Sequence, residues 1–533
     1  MTILILFMVS EKTSWQNFYK LLFILLLILI LTAHLLQLAN IPVGFFADET
    51  SIGYNAALIS QTGIDEHGVY YPVYFEAFGE YKNPIYIYAT ALIFKIFGIS
   101  EFNLRLTSFI FYIAALIFTL LLVFKVFRRN KTVAIYTLIS LGFLPIFFIS
   151  SRISFEVISQ LTWISAANLC IWTIFDEEKK GKLEYFKTLV CGLIIGTSIY
   201  TYSTARLLSF LMLISLWIIY FKRENIKKLA LITLTFLTSL IPYILFTINN
   251  PEATTTRFKT VSYIDDPISI IDKVGIFVNN FASYLSPEFL IKHGDPNLRH
   301  STGYGGIIFA SILFLFLITL IYIVFNKRFN KFQIFLFFNL LLSPATASLT
   351  SEGTPHALRS FLLGYYILLF SCYSMELISQ MRNKRIRKVV IIFIFSFLLF
   401  EIVGNQLYFF GFYPSKSVHA MVSFDLKKSL QIAIEQKPQE IIFVNEPTHQ
   451  YSNLKFYSYL VKNPTGIPIK MTLKPVTVIP LHSCMIYHEW SEKELDQFPY
   501  SFTEYKSNKS LNFLEKLLGV KSPPNIMRVR CYK

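Results

Sequence analysis

The sequence predicts an all-α polytopic membrane protein of eleven spans, followed by a small C-terminal α/β domain outside the cytoplasm. Composition, recurring long apolar runs and the basic clusters between those runs all point there. Of 533 residues, 54% are hydrophobic and 17% aromatic, while only 15% are charged. Soluble domains carry about 25% charged residues, so water is not the main solvent of this chain. The net charge of +16 does not point to nucleic acid. Lys and Arg sit in short clusters between apolar runs, and no Arg-rich stripe is interleaved with stacking aromatics.

Runs long enough to cross a hydrocarbon core of about 30 Å fall at 19–39, 104–127, 133–150, 157–175, 188–203, 205–221, 229–249, 304–325, 332–350, 357–378 and 389–411. No small-residue cleavage site follows the first run, so it reads as an anchor rather than a signal peptide. The basic clusters are Lys125/Arg128/Arg129/Lys131, Lys179/Lys180/Lys182, Lys222/Arg223/Lys227/Lys228, Lys327/Arg328/Lys331 and Arg382/Lys384/Arg385/Arg387/Lys388. All five lie on the cytoplasmic side if the chain starts there and crosses eleven times. The shorter apolar run 84–98 is then an interfacial or membrane-dipping helix within the first outer loop.

The membrane domain is expected over 1–411, with outer loops at 40–103 and 250–303 among others. Residues 412–533 have ordinary polarity. Strand-like runs at Ile441–Val444, Val476–Pro480 and Met527–Cys531, with a helix-like stretch at Phe424–Glu435, predict the α/β fold there. Cys170, Cys191 and Cys372 fall in apolar runs and read as core residues. Cys484 and Cys531 lie in the tail, where the sequence leaves a disulfide open.

The strongest chemical signal is in the first outer loop. Asp48 and Glu49 open a stretch with helical spacing directly after the first span. Asp48 fits an N-cap and Glu49 the positive end of the helix dipole. It also fits a base at the membrane boundary. Lys82 precedes the interfacial helix, and Arg105 opens the second span. Cations on the outer side run against the positive-inside bias and call for a local anion, such as a lipid phosphate.

The order Asp48-Glu49, Gly63-Ile64-Asp65-Glu66-His67-Gly68, Lys82-Asn83-Pro84-Ile85-Tyr86 and Phe97-Gly98 followed by Arg105-Leu106-Thr107-Ser108 resembles membrane glycosyltransferases of the GT-C fold. The likeness is to bacterial relatives of protein O-mannosyltransferases and of the lipid A aminoarabinose transferase. It is densest over 40–150. It implies a catalytic acidic pair, Asp48 (the base) and Glu49, with Lys82 near the lipid phosphate. A second acidic position after an Arg matches Arg152 and Glu156. This chain departs from the family pattern twice, with Asn83 in place of a Pro and Glu156 in place of the commoner Asp.

Arg359, at the outer end of a span, suits bidentate phosphate binding beside Lys82 and Arg105. Tyr202 and Arg206 edge a tight turn and are expected to border the same donor or acceptor cavity, as is Arg152. His293, Asp295, Arg299, His300 and His356 cluster on the same side. They are candidates for donor or acceptor binding, and the histidines and Asp295, with Asp48 and Glu156, are candidates for a divalent cation, although no fixed ligand spacing supports one.

The implied reaction is inverting transfer of a sugar from a polyprenyl-phosphate donor to a lipid, glycan or protein acceptor. It would take place at the outer face of a bacterial inner membrane. The competing class is a transporter, flippase or polymerase of lipid-linked saccharides. Transporters concentrate ionisable groups near the midplane, often in paired repeats, and neither feature is visible here. The tail lacks a Trp-Trp-Asp-type motif, which argues against an oligosaccharyltransferase, and 250–303 is too short for a β-trefoil insertion.

Overall fold

The structure is a computed structural model that describes residues 14–177, 183–253, 255–326, 329–421, 425–444, 451–461, 466–473, 480–488, 502–506, 511–521 and 527–532. Lys179, Lys180, Lys182, Lys327, Arg328, Phe424 and most of the run Val476–Pro480 lie outside the described residues.

Every one of the eleven apolar runs is helical over most of its length. Helix α1 spans Ser14–Leu35. Helix α2 (Ala47–Thr62) and helix α3 (Pro84–Phe97) lie in the first loop, and α4 (Glu101–Val126) forms the second long apolar helix. Two of the runs are broken: 133–150 at Leu144, ahead of Pro145, and 229–249 at Leu240, ahead of Pro242. A proline lacks the N–H that would continue the ladder, so each break falls where the sequence forces one. By length and composition, Glu101–Val126, Val157–Phe175, Arg223–Asn249 and Leu362–Ser379 are apolar enough to cross a membrane, and six further apolar helices are shorter.

The outward faces of these helices remain apolar. Leu21, Leu25, Ile28 and Leu29 on α1, and Val389, Phe393 and Phe400 on Lys384–Gly411, are all more than half exposed. Contiguous exposed apolar surface on this scale is unstable in water and ordinary against lipid tails. The chain is therefore an integral membrane protein.

Helix-to-helix contacts rely on small and polar residues. Gly192 and Gly196 lie one turn apart on Glu184–Thr197, where an added Cβ would fall 1.9 Å from Thr235 Oγ1 and 1.9 Å from Ser239 Oγ respectively. The missing side chains let Ile226–Ser239 approach closely. His34 on α1 contacts Ser151 Oγ at 2.6 Å and the Gly142 carbonyl at 2.8 Å, tying α1 to the apolar run 133–150 and the turn after it. Glu401, on Lys384–Gly411, accepts the Ala310 and Ser311 N–H groups and so caps helix Ala310–Asn326.

The tail forms a mixed five-stranded sheet, order β4-β3-β5-β7-β6. The strands are β3 (Glu440–Val444), β4 (Ile469–Thr472), β5 (Ser483–His488), β6 (Phe502–Lys506) and β7 (Met527–Tyr532), and β1 (Phe75–Ala77) pairs with β2 (Glu80–Lys82) in the first loop. Strands β3, β4 and β5 run parallel, whereas β7 is antiparallel to both β5 and β6. Cys484 and Cys531 are direct cross-strand partners and form a disulfide. Cys191 and Cys372 are buried and Cys170 half-buried, all three unpaired.

The tail also packs on the first loop. Helix Tyr451–Val461 lies along α2, where Thr50 Oγ1 donates to Asn453 Oδ1 at 2.6 Å and Lys455 reaches Glu66 at 3.0 Å. Gly53 makes this approach possible, since a Cβ there would lie 2.8 Å from the Phe456 ring.

Candidate active site

Helix α2 sorts its two leading carboxylates onto different sides. The N-cap is Phe46, not Asp48, and Glu49 reaches back to accept the Phe46 N–H at 3.3 Å. Glu49 also accepts the Ser154 N–H at 2.9 Å and the Arg105 Nε–H at 3.3 Å, and both side chains of that ion pair are fully buried. Arg105 spends its remaining donors on the carbonyls of Leu38, Pro42 and Gly44. The anion that Arg105 calls for is thus Glu49 with a ring of carbonyl oxygens. Neither the phosphate role expected of Arg105 nor the catalytic role expected of Glu49 fits these positions.

Asp48, one residue earlier and so about 100° around the helix, turns into a cavity of about 560 Å³. Lys82 Nζ donates to Asp48 Oδ1 at 2.6 Å. Burial alone would raise the Asp48 carboxyl, but Lys82, with Arg299 and Arg257 beyond it, holds it below its usual value. Lys82 is raised in turn: burial works against its charge, and Asp48, Glu156 and Glu80 outweigh it. The pair therefore stays fully ionised at neutral pH.

Asn83 is the hub between loops. Its backbone N–H donates to Glu156 Oε1 at 2.8 Å, its side-chain Nδ2 donates to Glu156 Oε2 at 2.7 Å, and its Oδ1 accepts from Arg206 Nη2 at 3.3 Å. It also precedes Pro84, the first residue of α3, where a missing N–H costs nothing. Burial pushes the Glu156 carboxyl up to about 7, against the pull of Lys82 and Asn83.

The cavity is lined by five cations, Lys82, Arg206, Arg257, Arg299 and Arg359, and four carboxylates, Asp48, Glu80, Glu156 and Glu352. Tyr202, His300 and His356 also line it. Arg299 stacks on Phe46 with its guanidinium carbon 3.8 Å from the ring centre. Arg359 donates from Nη1 to Thr350 Oγ1 at 3.0 Å and to the Glu352 carbonyl at 2.6 Å, and from Nη2 to Glu352 Oε2 at 3.1 Å. Arg257 bridges Glu80 at 3.2 Å and Glu352 at 3.3 Å. Arg257, on the short helix Thr256–Val261, Glu80, at the start of β2, and Glu352 were missed from the sequence, because none of the three belongs to a recognisable motif of its own.

Two other expected residues lie elsewhere. Arg152 is fully buried and donates to the carbonyls of Ala33, His34, Leu36 and Ile41. It staples the end of α1, makes no pair with Glu156, and is not placed to bind donor or acceptor. His293 is 81% exposed and paired with Glu288, outside the cavity lining.

Asp295, His300 and His356 bring one ligand atom each within 4.8 Å of one another. Asp295 Oδ2 lies 3.1 Å from His300 Nδ1 and 3.8 Å from His356 Nδ1, and also accepts the Ala357 N–H. Two imidazoles and one carboxylate suit three positions of a divalent-cation site. Asp48 and Glu156, expected beside them as ligands, are not in this group.

Residues 81–248 match the family model described as dolichyl-phosphate-mannose-protein mannosyltransferase. No curated protein matches the chain in sequence. The fold is similar to that of ArnT from Cupriavidus metallidurans in the apo state, at 12% identity and TM-score 0.56, over 97% of this chain and 98% of that one. The same protein bound to undecaprenyl phosphate matches at 11% identity and TM-score 0.57, over 95% and 97% of the two chains. The archaeal oligosaccharyltransferase AglB from Archaeoglobus fulgidus, in complex with an inhibitory peptide and a dolichol-phosphate, matches at 12% identity and TM-score 0.51, over 84% of this chain and 64% of that one. The chain has the architecture of these proteins, and the resemblance to GT-C membrane glycosyltransferases read from its motifs holds.

Proposed function

We propose that the chain is a glycosyltransferase that moves a sugar from a polyprenyl-phosphate donor to an acceptor hydroxyl or amine, with inversion. The observation that carries this reading is the half-buried Asp48 carboxylate, paired with Lys82 at 2.6 Å on the wall of a cavity that holds four further cations. In the proposed reaction the acceptor oxygen or nitrogen attacks the anomeric carbon as its proton passes to Asp48. The bond from that carbon to the phosphate oxygen breaks, and its electron pair stays on the phosphate. Lys82 and the arginines stabilise the departing anion in a site shielded from bulk water.

The Asp48–Lys82 pair also fits the timing of such a reaction. Lys82 keeps Asp48 ionised before the donor binds, and a phosphate that draws Lys82 towards itself raises the basicity of Asp48 as the donor seats. If a divalent cation binds, Asp295, His300 and His356 would hold it, and it would add positive charge to the same cavity.

In the proposed topology the chain crosses a bacterial inner membrane eleven times, and the cavity opens to the outside. Charged groups crowd the loops, in keeping with a boundary enzyme rather than a transporter with ionisable groups at the midplane. The test is purified protein in nanodiscs incubated with a panel of polyprenyl-phosphate sugars, with sugar release followed for wild type and Asp48→Asn. Release by wild type alone is the expected result. A protein that consumes no donor while moving lipid-linked sugar between leaflets would replace this reading with the transport one.

A further inference from the structure

We propose that Arg257 and Arg359 form a paired grip for the donor phosphate, and that the Glu352 carboxylate holds the pair together before the donor binds and is exchanged for that phosphate. This rests on the glycosyltransferase reading and specifies how its donor is recognised.

The geometry is that of an anion site with a protein anion in it. One oxygen, Glu352 Oε2, receives Nη2 of Arg359 at 3.1 Å and Nη2 of Arg257 at 3.3 Å. All three residues line the cavity. Two guanidinium groups converging on one point repel unless an anion sits between them. Each is fixed from behind by contacts that do not involve the Glu352 carboxylate. Arg257 Nε lies 3.2 Å from Glu80 Oε2, and Arg359 Nη1 is held by Thr350 Oγ1 and by the backbone carbonyl of Glu352. The carboxylate can therefore swing away while both arginines keep their aim.

Exposure marks which partner is replaceable. The Arg359 side chain is only 11% exposed, whereas that of Glu352 is 57% exposed and that of Arg257 51%. An ion pair that open to water contributes little, so its loss is easily outweighed. A phosphate offers several oxygens where the carboxylate offers one, and so can meet both guanidinium groups by charge-assisted, fork-like bonds.

The exchange also bears on release. The donor is a phosphodiester with one negative charge, whereas the polyprenyl phosphate left after transfer is a monoester approaching two. That product binds two arginines more tightly than the donor does. A competing carboxylate on the same two groups offsets the extra charge and lets the product leave.

The probe is undecaprenyl phosphate, with undecaprenol as its uncharged counterpart, and binding to the full chain in nanodiscs is read by native mass spectrometry. Glu352→Gln, which keeps the shape but removes the competing charge, should tighten undecaprenyl phosphate by about threefold to tenfold. Arg257→Gln should weaken it by about tenfold, the effect of one lost charge-assisted bond. Neither variant should change undecaprenol binding. Glu352→Gln that binds no tighter, or Arg257→Gln that binds no weaker, overturns the exchange while leaving the glycosyltransferase reading intact. A wild type that binds alcohol and phosphate equally overturns that reading, and the exchange with it.

Discussion

Asn83 and Glu156, the two positions where this chain departs from the pattern of the family it resembles, are bound to each other by two hydrogen bonds of 2.8 and 2.7 Å. The longer carboxylate reaches a side chain that a proline would not offer. The two departures form one compensated contact between the segment ahead of α3 and the turn that precedes helix Val157–Phe175.

That coupling is measurable. Asn83 has φ −79°, which a proline can adopt. Asn83→Pro alone removes both donors from a largely buried carboxylate, and should cost about 2–4 kcal/mol. Glu156→Asp alone should cost less, by shortening the reach. The double variant should recover at least about 1 kcal/mol of the summed loss, as contacting residues do in a mutant cycle. Thermal unfolding of all four proteins decides it, and strict additivity would show that the contact carries no energy.

The adjacent carboxylates of α2 should behave oppositely. Asp48→Asn should lower turnover by roughly a hundredfold or more, with a modest loss of stability because Lys82 keeps Glu156 and Glu80 nearby. Glu49→Gln leaves the fully buried Arg105 without its counter-charge, and should destabilise by about 3–5 kcal/mol. Melting temperature and sugar release measured together separate the two, and normal turnover in Asp48→Asn would remove it as the base.

The first loop shows what the sequence makes legible. The apolar runs emerge as helices because lipid leaves the backbone no other partner than itself. Asp48 and Lys82 were legible because a carboxylate and a lysine at the membrane boundary have few uses. Arg105 and Arg152 were not, because a sequence cannot show whether an outward arginine meets phosphate or a ring of carbonyls. Those carbonyls belong to the end of α1 and to the irregular turn at 36–44, whose path no periodicity predicts. Strands β4, β5 and β6 and helix Tyr451–Val461 likewise escaped, since their order in the sheet depends on contacts far apart in the chain.

Stability should carry a pH signature from Glu156. Its folded carboxyl titrates at about 7 instead of 4.5, chiefly because burial disfavours the charge. The folded state then binds the proton more tightly than the unfolded chain does. Stability is greatest below the unfolded value, falls as pH rises towards about 7, and is flat beyond. Asp48, held below 3.8, titrates under this window. The wild-type melting temperature should drop by a few degrees over this range, and Glu156→Gln should drop less, keeping the share of other buried carboxyls such as Asp176, which burial raises to about 6. A parallel drop in the variant would assign the effect elsewhere.

Sidedness is open to direct labelling. Tyr70, 69% exposed ahead of α3, and Phe97, 64% exposed at its end, should lie on the same face if α3 does not cross. In a background lacking the native free cysteines, Tyr70→Cys and Phe97→Cys should react with an impermeant maleimide from the same side. Reaction from opposite sides would make α3 a span and put the tail in the cytoplasm.

Helix Tyr451–Val461 acts as a splint on the back of the helix that carries Asp48. Its Asn453 and Phe456 are fitted to Thr50 and to the bare backbone at Gly53. Cutting the chain at residue 411, where polarity suggests a seam, would leave that helix unsupported on the face opposite its chemistry. Helix Tyr451–Val461 is thus architecture for α2, and a truncation meant to isolate the membrane part would loosen the position of the carboxylate.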